Sequence, residues 1–307
     1  MKRIGILFGQ ERTFPEAFCD AVNGRDAGVT AEPVEVEALR HESERPYDVI
    51  VDRISHEVPY YQMFLKQCAL LGTHVINNPF WRIADDKYFG TVLAAKLGVA
   101  VPKTRLLPQR EDVQDIKPQS LTNLHLVDWE RIGSEVGFPC YIKPATGGGW
   151  KSVSKCDDLA QLLHAFDDSG ELVMMLQEGI EWEAYARLLC IGKEEVLIAP
   201  WDPTKPHHLR YTEAAFSYGD GLEKLMIEQA REINRALGYD MNTVEFAIRN
   251  GVPYAIDFTN TAPDFDRNSL TGDHFDWVVE KMTDLAIQRA NEAPPEAPAV
   301  SWKQLIR

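Results

Sequence analysis

Apolar residues along this chain follow two rhythms. Short unbroken runs at residues 4–8 and 49–51 are apolar on both sides of the backbone, as in parallel strands covered on both faces. Elsewhere the period lengthens. Residues 59–71 predict a helix with Tyr60, Phe64 and Leu71 on one face, and residues 73–77 predict a strand closed by Asn78-Pro79. Residues 1–79 thus predict a small α/β layer of Rossmann type. Asp85 or Asp86 can cap the next helix, which carries Phe89, Val92, Leu93 and Leu97 on one face and stops at Gly98. Residues 99–104 predict an edge strand. The polar, weakly periodic stretch 105–130 predicts a long connection.

A short helix at 131–136 leads into a strand ending at Lys143. The pattern then gives an amphipathic helix at 157–166, with Leu159, Leu162, Leu163 and Phe166 inward, and strands at 171–177, after Glu183, and at 196–200. Residues 222–237 predict a long helix with Leu222, Leu225, Met226, Ile233 and Leu237 on one face, stopped by Gly238. Residues 243–248 and 253–260 read as strands joined by Arg249-Asn250-Gly251, and an Asn-Gly turn between apolar strands is a strong hairpin signal. Residues 275–289 predict a last amphipathic helix.

Composition narrows the function classes. A chain of 307 residues holds two or three lobes. Its net charge of −15 argues against binding duplex nucleic acid or an anionic membrane, both of which call for basic faces. It leaves room for a small anionic ligand held by a few local cations. No apolar run is long enough to span a bilayer, and the N-terminal run is too short for a signal segment. The five cysteines are scattered and free of CxxC spacing, which predicts reduced thiols in a cytoplasmic protein. Residues 293–298, rich in Ala and Pro, predict an extended linker.

The densest chemistry lies at Lys143-Pro144-Ala145-Thr146-Gly147-Gly148-Gly149-Trp150-Lys151-Ser152. Glycines let a backbone turn sharply and approach a ligand, and successive amides of such a loop can hold phosphate oxygens. Lys143 and Lys151 bracket the loop with point charges suited to phosphate. The plain alternative is a surface hairpin. Lys87 falls in the first turn of a predicted helix, where the dipole disfavours a cation, a mild hint of a nearby anion. Tyr185 and Arg187 share a strand face because they are two apart. Glu245 and Asp257 are placed so that a tight hairpin could bring them close on one face, with Asn260 just beyond; their apolar surroundings suggest buried carboxylates, which with an amide oxygen are hard ligands suited to Mg²⁺ held partly by phosphate, the alternative being two outward-facing acids on a half-exposed hairpin. Asp52-Arg53 ends a predicted strand, where open α/β sheets bind ligands, or else forms a surface ion pair. The neighbouring His207 and His208 point apart in a strand and predict no metal. The loop after the first strand lacks GxGxxG, which disfavours an NAD-dependent oxidoreductase, and residues 147–152 lack the Gly-Lys-Ser/Thr adjacency of a P-loop kinase.

In this order the segments resemble the ATP-grasp superfamily of carboxylate–amine ligases, which includes D-alanine–D-alanine ligase, glutathione synthetase and the ribosomal-protein glutamate ligase. The resemblance spans nearly the whole chain and is most specific from Asp85 to Asn260. It implies an α/β ATP-grasp fold: a Rossmann-like domain at 1–84, a central lid subdomain at 85–180, and a C-terminal α+β subdomain at 181–307. It implies that Lys87 and Lys143 contact nucleotide phosphates and that Gly147, Gly148 and Gly149, with Lys151, form the lid over them. Gln177, Glu178 and Ile180 resemble the hinge at adenine, and Glu183, with Glu181 as rival, the ribose acid. Arg187 and Arg210 resemble groups at the phosphate or acyl-phosphate end, with Lys143 as the third catalytic cation. Glu245, Asp257 and Asn260 resemble the metal ligands. Three positions depart from the family pattern: Ser152 stands where glycine is frequent, Trp182 precedes Glu183, and Asp257-Phe258-Thr259-Asn260 is one residue longer than Glu-X-Asn, leaving Thr259 as rival to Asn260.

The function implied is an ATP- and Mg²⁺-dependent ligase (Mn²⁺ being the alternative ion) joining a small carboxylate and an amine, an amino acid or peptide, through an acyl phosphate. A homodimer fits the family. The alternatives are a non-ligating ATP-binding module of the same fold, similar to synapsin, and a carboxylate–thiol ligase.

Overall fold

The computed structural model describes residues 1–41, 44–80, 86–111, 117, 127–147, 150–206, 209–211, 216–270 and 272–292. In chain order the elements begin β1 (Lys2–Leu7), α1 (Thr13–Asn23), β2 (Val29–Pro33), β3 (Val49–Asp52), α2 (Pro59–Leu70), β4 (His74–Ile76) and α3 (Lys87–Lys96). Next come β5 (Thr104–Leu107), α4 (Trp129–Val136), β6 (Cys140–Pro144), β7 (Ser154–Cys156), α5 (Leu159–Asp167) and β8 (Met174–Glu178). The chain continues through β9 (Ala184–Ile191), β10 (Glu195–Pro200), α6 (Asp220–Leu237), β11 (Met241–Arg249), β12 (Val252–Asp257) and α7 (Gly272–Asn291). These segments form two compact units. One holds Met1–Arg82, Tyr185–Glu245 and Asn260–Arg307, the other Ile83–Ala184 and Phe246–Thr259.

The first unit contains a parallel sheet in the order β2-β1-β3-β4. β1 from Ile4 onward and all of β3 are buried on both sides, as their sequence runs predict, whereas β2 buries only Val29 and Ala31. Leu7, Ile50 and Val75 pack with Phe64, Leu65 and Cys68 of α2, while α1 and α7 lie together and α7 also meets β1 and β3. On α2 the buried residues are Phe64, Leu65, Cys68 and Ala69, whereas Tyr60 is exposed. Pro59 starts this helix where its missing N–H costs nothing. The unit also contains the antiparallel pair β9–β10 with the first half of β11 beside β9. α6 ends at Gly238 in the left-handed conformation, φ 74°, the backbone state that glycine enters without a Cβ penalty.

The second unit is built on an antiparallel sheet in the order β5-β8-β6-β7. Ile142, Leu176, Leu162 and Phe166 fill its core under α4 and α5. Asp128 and Asp158 cap those two helices through the N–H groups of Arg131 and Gln161. The strand expected at 99–104 begins only at Thr104, and β5 occupies the sheet edge. The second half of β11 and β12 belong to this unit, and both turn residues have positive φ, Asn250 at 53° and Gly251 at 72°, as an Asn-Gly hairpin requires. The buried side of α3 also departs from the sequence pattern. Gly90, Thr91 and Ala94 face inward, whereas Phe89 and Val92 are exposed. The reason is proximity: a Cβ on Gly90 would stand 3.2 Å from Phe258 and from Thr259, so small residues form the contact. No helix among the described residues is long and apolar enough to cross a membrane.

Candidate functional site

The second unit gathers the residues with phosphate chemistry. Asp86 caps α3, its carboxylate accepting the Phe89 N–H at 2.8 Å; Asp85 lies outside the described residues. Lys87 is thereby fixed at the first helical position. Its own N–H donates to Ala145 O at 2.9 Å, and its Nζ donates to Gly147 O. Lys143, at the end of β6, donates from Nζ to Gln177 Oε1 at 2.9 Å. Gln177 is 4% exposed and in turn donates to the Thr104 hydroxyl at 3.2 Å. Lys87 and Lys143 line one shallow pocket with Thr91, Met175, Asp257 and Thr259.

That pocket joins residues 170 positions apart (87 to 257) and pairs two lysine ammoniums with a carboxylate. Asp257 is exposed within its unit, contrary to the buried acid that its apolar neighbours suggest. It is the last residue of β12, and the Phe258 and Thr259 that follow it are buried. Of the two residues rivalling one another beyond it, Thr259 lines the pocket, and the Asn260 N–H donates to Asn242 Oδ1 at 2.8 Å in the other unit. Among the described residues no three His, Cys, Asp or Glu side chains gather as a metal cage. A Mg²⁺ bound partly by phosphate and water needs only one or two protein carboxylates, so Asp257 beside two phosphate-suited lysines fits that ion.

The hairpin that bears the glycine loop is also a real hairpin: β6 and β7 pair antiparallel, with Cys140 opposite Cys156. Gly148 and Gly149 lie outside the described residues. Around them the backbone turns through positive φ at Gly147 (84°), Trp150 (60°) and Ser152 (55°). Ser152 therefore holds the conformation for which a glycine is the easier residue. Lys151 is exposed.

At the hinge, Glu178 accepts from Arg249 at 2.9 Å and from the Lys103 N–H at 3.2 Å. Gly179 N–H donates to Pro139 O at 2.8 Å. A Cβ at Gly179 would meet that same carbonyl at 2.7 Å, so the position admits glycine alone without a backbone shift. Ile180 is buried. Glu183 Oε1 accepts the Asn250 N–H at 2.6 Å and so stitches the hinge to the β11–β12 turn; Glu183 and Glu181 are both exposed.

The first unit holds a cluster of arginine, aromatic and acid side chains. Arg187 lies 3.5 Å from Glu245 and donates to the Thr243 hydroxyl at 3.2 Å. Tyr185 donates its hydroxyl to the other Glu245 oxygen at 2.9 Å. The guanidinium carbons of Arg187 and Arg210 lie 5.5 and 5.0 Å from the centre of the Trp201 ring. Burial pushes the Tyr211 phenol up to about 12, against the pull of the Arg187 charge. His207 and His208 lie outside the described residues.

Two further sites in this unit concern the sequence reading. Asp52 and Arg53 are buried, not a surface pair. Arg53 grips Glu11 with two bonds of 2.9 and 2.7 Å and lies between the Phe14 and Phe265 rings; Asp52 accepts the Ser55 N–H at 2.8 Å. The sequence also gave no sign of the network around Asp240. That carboxylate meets His74 at 3.0 Å, Arg289 at 3.0 Å and Lys193 at 3.4 Å. Burial acts to raise its pKa, but the His74 hydrogen bond and the charges of Arg289 and Lys193 prevail and hold it well below the usual carboxylate range.

The fold is shared with solved proteins along almost its full length. The RimK domain protein ATP-grasp from Sphaerobacter thermophilus superposes with a TM-score of 0.69 at 18% identity, covering 93% of this chain and 99% of the other. The D-alanine–D-alanine ligase from Bacillus anthracis, complexed with ATP, gives 0.65 at 16% identity over 94% and 97% of the two chains. This chain has the fold of those ATP-grasp structures. Sequence relatives agree: the D-alanine–D-alanine ligase of Heliobacterium modesticaldum is 24% identical over 188 residues, 53% of this chain and 50% of its own length. That of Bacillus pumilus is 23% identical over 232 residues, 67% and 61% of the two lengths. The chain thus spans between half and two thirds of these curated relatives. No family model matches it.

Proposed function

We propose that this protein of ATP-grasp fold is an ATP-dependent carboxylate–amine ligase. The observation that carries the reading is the pocket in which Lys87, Lys143 and Asp257 converge. Two ammoniums answer the charge of a polyphosphate, and the acid beside them supplies an oxygen ligand for its metal. Bound Mg²⁺, or Mn²⁺ in its place, would neutralise charge developing in phosphoryl transfer. Lys143, held by Gln177, would keep its ammonium aimed at the transferring phosphate, and Lys87 would hold the other oxygens. The loop at 145–152 would exclude water and protect an acyl phosphate from hydrolysis. Arg187 and Arg210 would serve the anionic end of the activated acid. No nucleophilic side chain is required, because catalysis rests on positioning and electrostatics.

Relatives named D-alanine–D-alanine ligase support an amino acid or short peptide as the class of substrate for this chain. The test is phosphate release from ATP and Mg²⁺ with amino acids and small carboxylates added in pools. Release that depends on one pool supports the ligase. ATP raising the melting temperature while every pool is silent would favour a binding module of the same fold.

A further inference from the structure

We propose that Gly90 is a positioning residue: it lets α3 rest directly on the end of β12 and so sets the spacing between Lys87 and Asp257 in the pocket of the second unit. The inference deepens the ligase reading and rests on it for the identity of the ligand, ATP with Mg²⁺.

Lys87 is the first residue of α3 and Asp257 the last of β12. Their separation depends on how the helix packs on the strand. Two backbone bonds hold the pair of elements. The Lys87 N–H donates to Ala145 O at 2.9 Å, and the Ala255 N–H donates to Ala100 O, beyond the end of α3, at 2.8 Å. Between these ties lies Gly90. Phe258 and Thr259 follow directly on Asp257 and are 4% and 6% exposed. A Cβ on Gly90 would stand 3.2 Å from the Phe258 ring and 3.2 Å from the Thr259 methyl. That is closer than ordinary carbon contact, so any larger residue must part the helix from the strand or displace both side chains. Elsewhere a helical glycine carries no such constraint: nothing lies within 4 Å of a Cβ built on Gly221 in α6. Glycine is the less stable choice inside a helix, and at position 90 it provides close approach.

The contact reaches both functional groups. Gly90 and Lys87 are three residues apart, on one side of the helix and about 4.5 Å apart along its axis. Thr91 reinforces this turn, its hydroxyl donating to Lys87 O at 2.9 Å, and itself lines the pocket. A shift at Gly90 therefore moves Lys87 on one side and Asp257 on the other. A polyphosphate held by Lys87 shares its metal with Asp257 only when that spacing is right.

Gly90→Ala adds one methyl at the contact. The readout is the factor by which Mg²⁺ tightens ATP binding, taken by calorimetry as Kd in EDTA over Kd with Mg²⁺. Gly90→Ala is expected to lower that factor by about three- to tenfold, with Kd in EDTA within about twofold of wild type; a misplacement of about 1 Å can cost about a hundredfold, and one methyl here displaces less. A packing defect alone would weaken ATP equally with and without metal. Thr259→Ser removes the methyl that the new Cβ meets and keeps the hydroxyl, so Gly90→Ala with Thr259→Ser should recover most of the factor. An unchanged factor in Gly90→Ala, equal losses with and without metal, or a double variant no better than Gly90→Ala would overturn the proposal, as would ATP binding indifferent to Mg²⁺ in the wild type. Should Gly90→Ala fail to fold, Phe258→Leu loosens the same contact from the other side and should lower the factor too; an unchanged factor there would overturn the proposal. The binding assay needs no turnover. A protein that loses the factor in Gly90→Ala but ligates nothing leaves the spacer standing and removes the ligase. Ligation with a factor indifferent to Gly90→Ala removes the spacer and leaves the ligase.

Discussion

Lys143 is aimed by Gln177: its ammonium meets the buried amide oxygen at 2.9 Å, and that amide is anchored on Thr104. The lysine thus reaches the pocket with little freedom left to lose on binding an anion. Lys143→Ala should lower ATP turnover by at least about a hundredfold, the scale seen when one preorganised transition-state contact is removed. The fold should survive, since the side chain is only partly buried. Phosphate-release kinetics beside a thermal melt check both halves.

Asp257 separates a ligase from a mere binder of nucleotide. It is exposed within its unit, so Asp257→Asn should change stability by no more than about 0.5 kcal/mol. The same change should raise the Mg²⁺ concentration needed for half-maximal turnover by about tenfold or more, because a neutral amide is a weaker ligand for a hard cation. A magnesium titration at fixed ATP gives the answer.

Gly179 is predicted to tolerate nothing larger. Its amide bonds to Pro139 O, and the added methyl of alanine would stand 2.7 Å from that oxygen. Gly179→Ala should destabilise the second unit by about 1–3 kcal/mol, the usual cost of overpacking a tight site. Urea unfolding measures it, with an increase in Kd for ATP as the companion effect.

Much of this was legible before the structure, and the exceptions have physical causes. The Asn250-Gly251 turn and the stop at Gly238 were readable because local backbone conformation selects those residues. A cap at Asp85 or Asp86 was readable for the same reason, and Asp86 takes it. The face of α3 was not, because its partner Phe258 lies far along the chain and prefers the small side of the helix to the apolar one. The exposure of Asp257 was missed because flanking apolar residues belong to its strand neighbours rather than to its own side. Trp201 gave no periodic signal, standing alone between Pro200 and Asp202. The tie between His74 and Asp240 spans 166 residues, a separation at which no local pattern speaks.

The Asp240 network makes an acid-stability prediction. Its folded pKa is depressed, so its contribution is complete at neutral pH, above the ordinary carboxylate value near 4, and is lost as pH falls through the folded value. Asp240→Asn should cost about 3 kcal/mol at pH 7, the scale for removing one member of a buried ion pair. It should also flatten the decline of stability below about pH 4. Urea melts of both proteins across the acid range test the slope.

The most direct test of the account is a mass balance. The protein is incubated with ATP, Mg²⁺ and the substrate pool that raises phosphate release, and the products are resolved by mass spectrometry. The account predicts ADP, phosphate and one new compound in equal amounts, the compound having the summed mass of a carboxylic acid and an amine less one water. ADP and phosphate without that compound would show hydrolysis alone and contradict the claim that this pocket drives ligation.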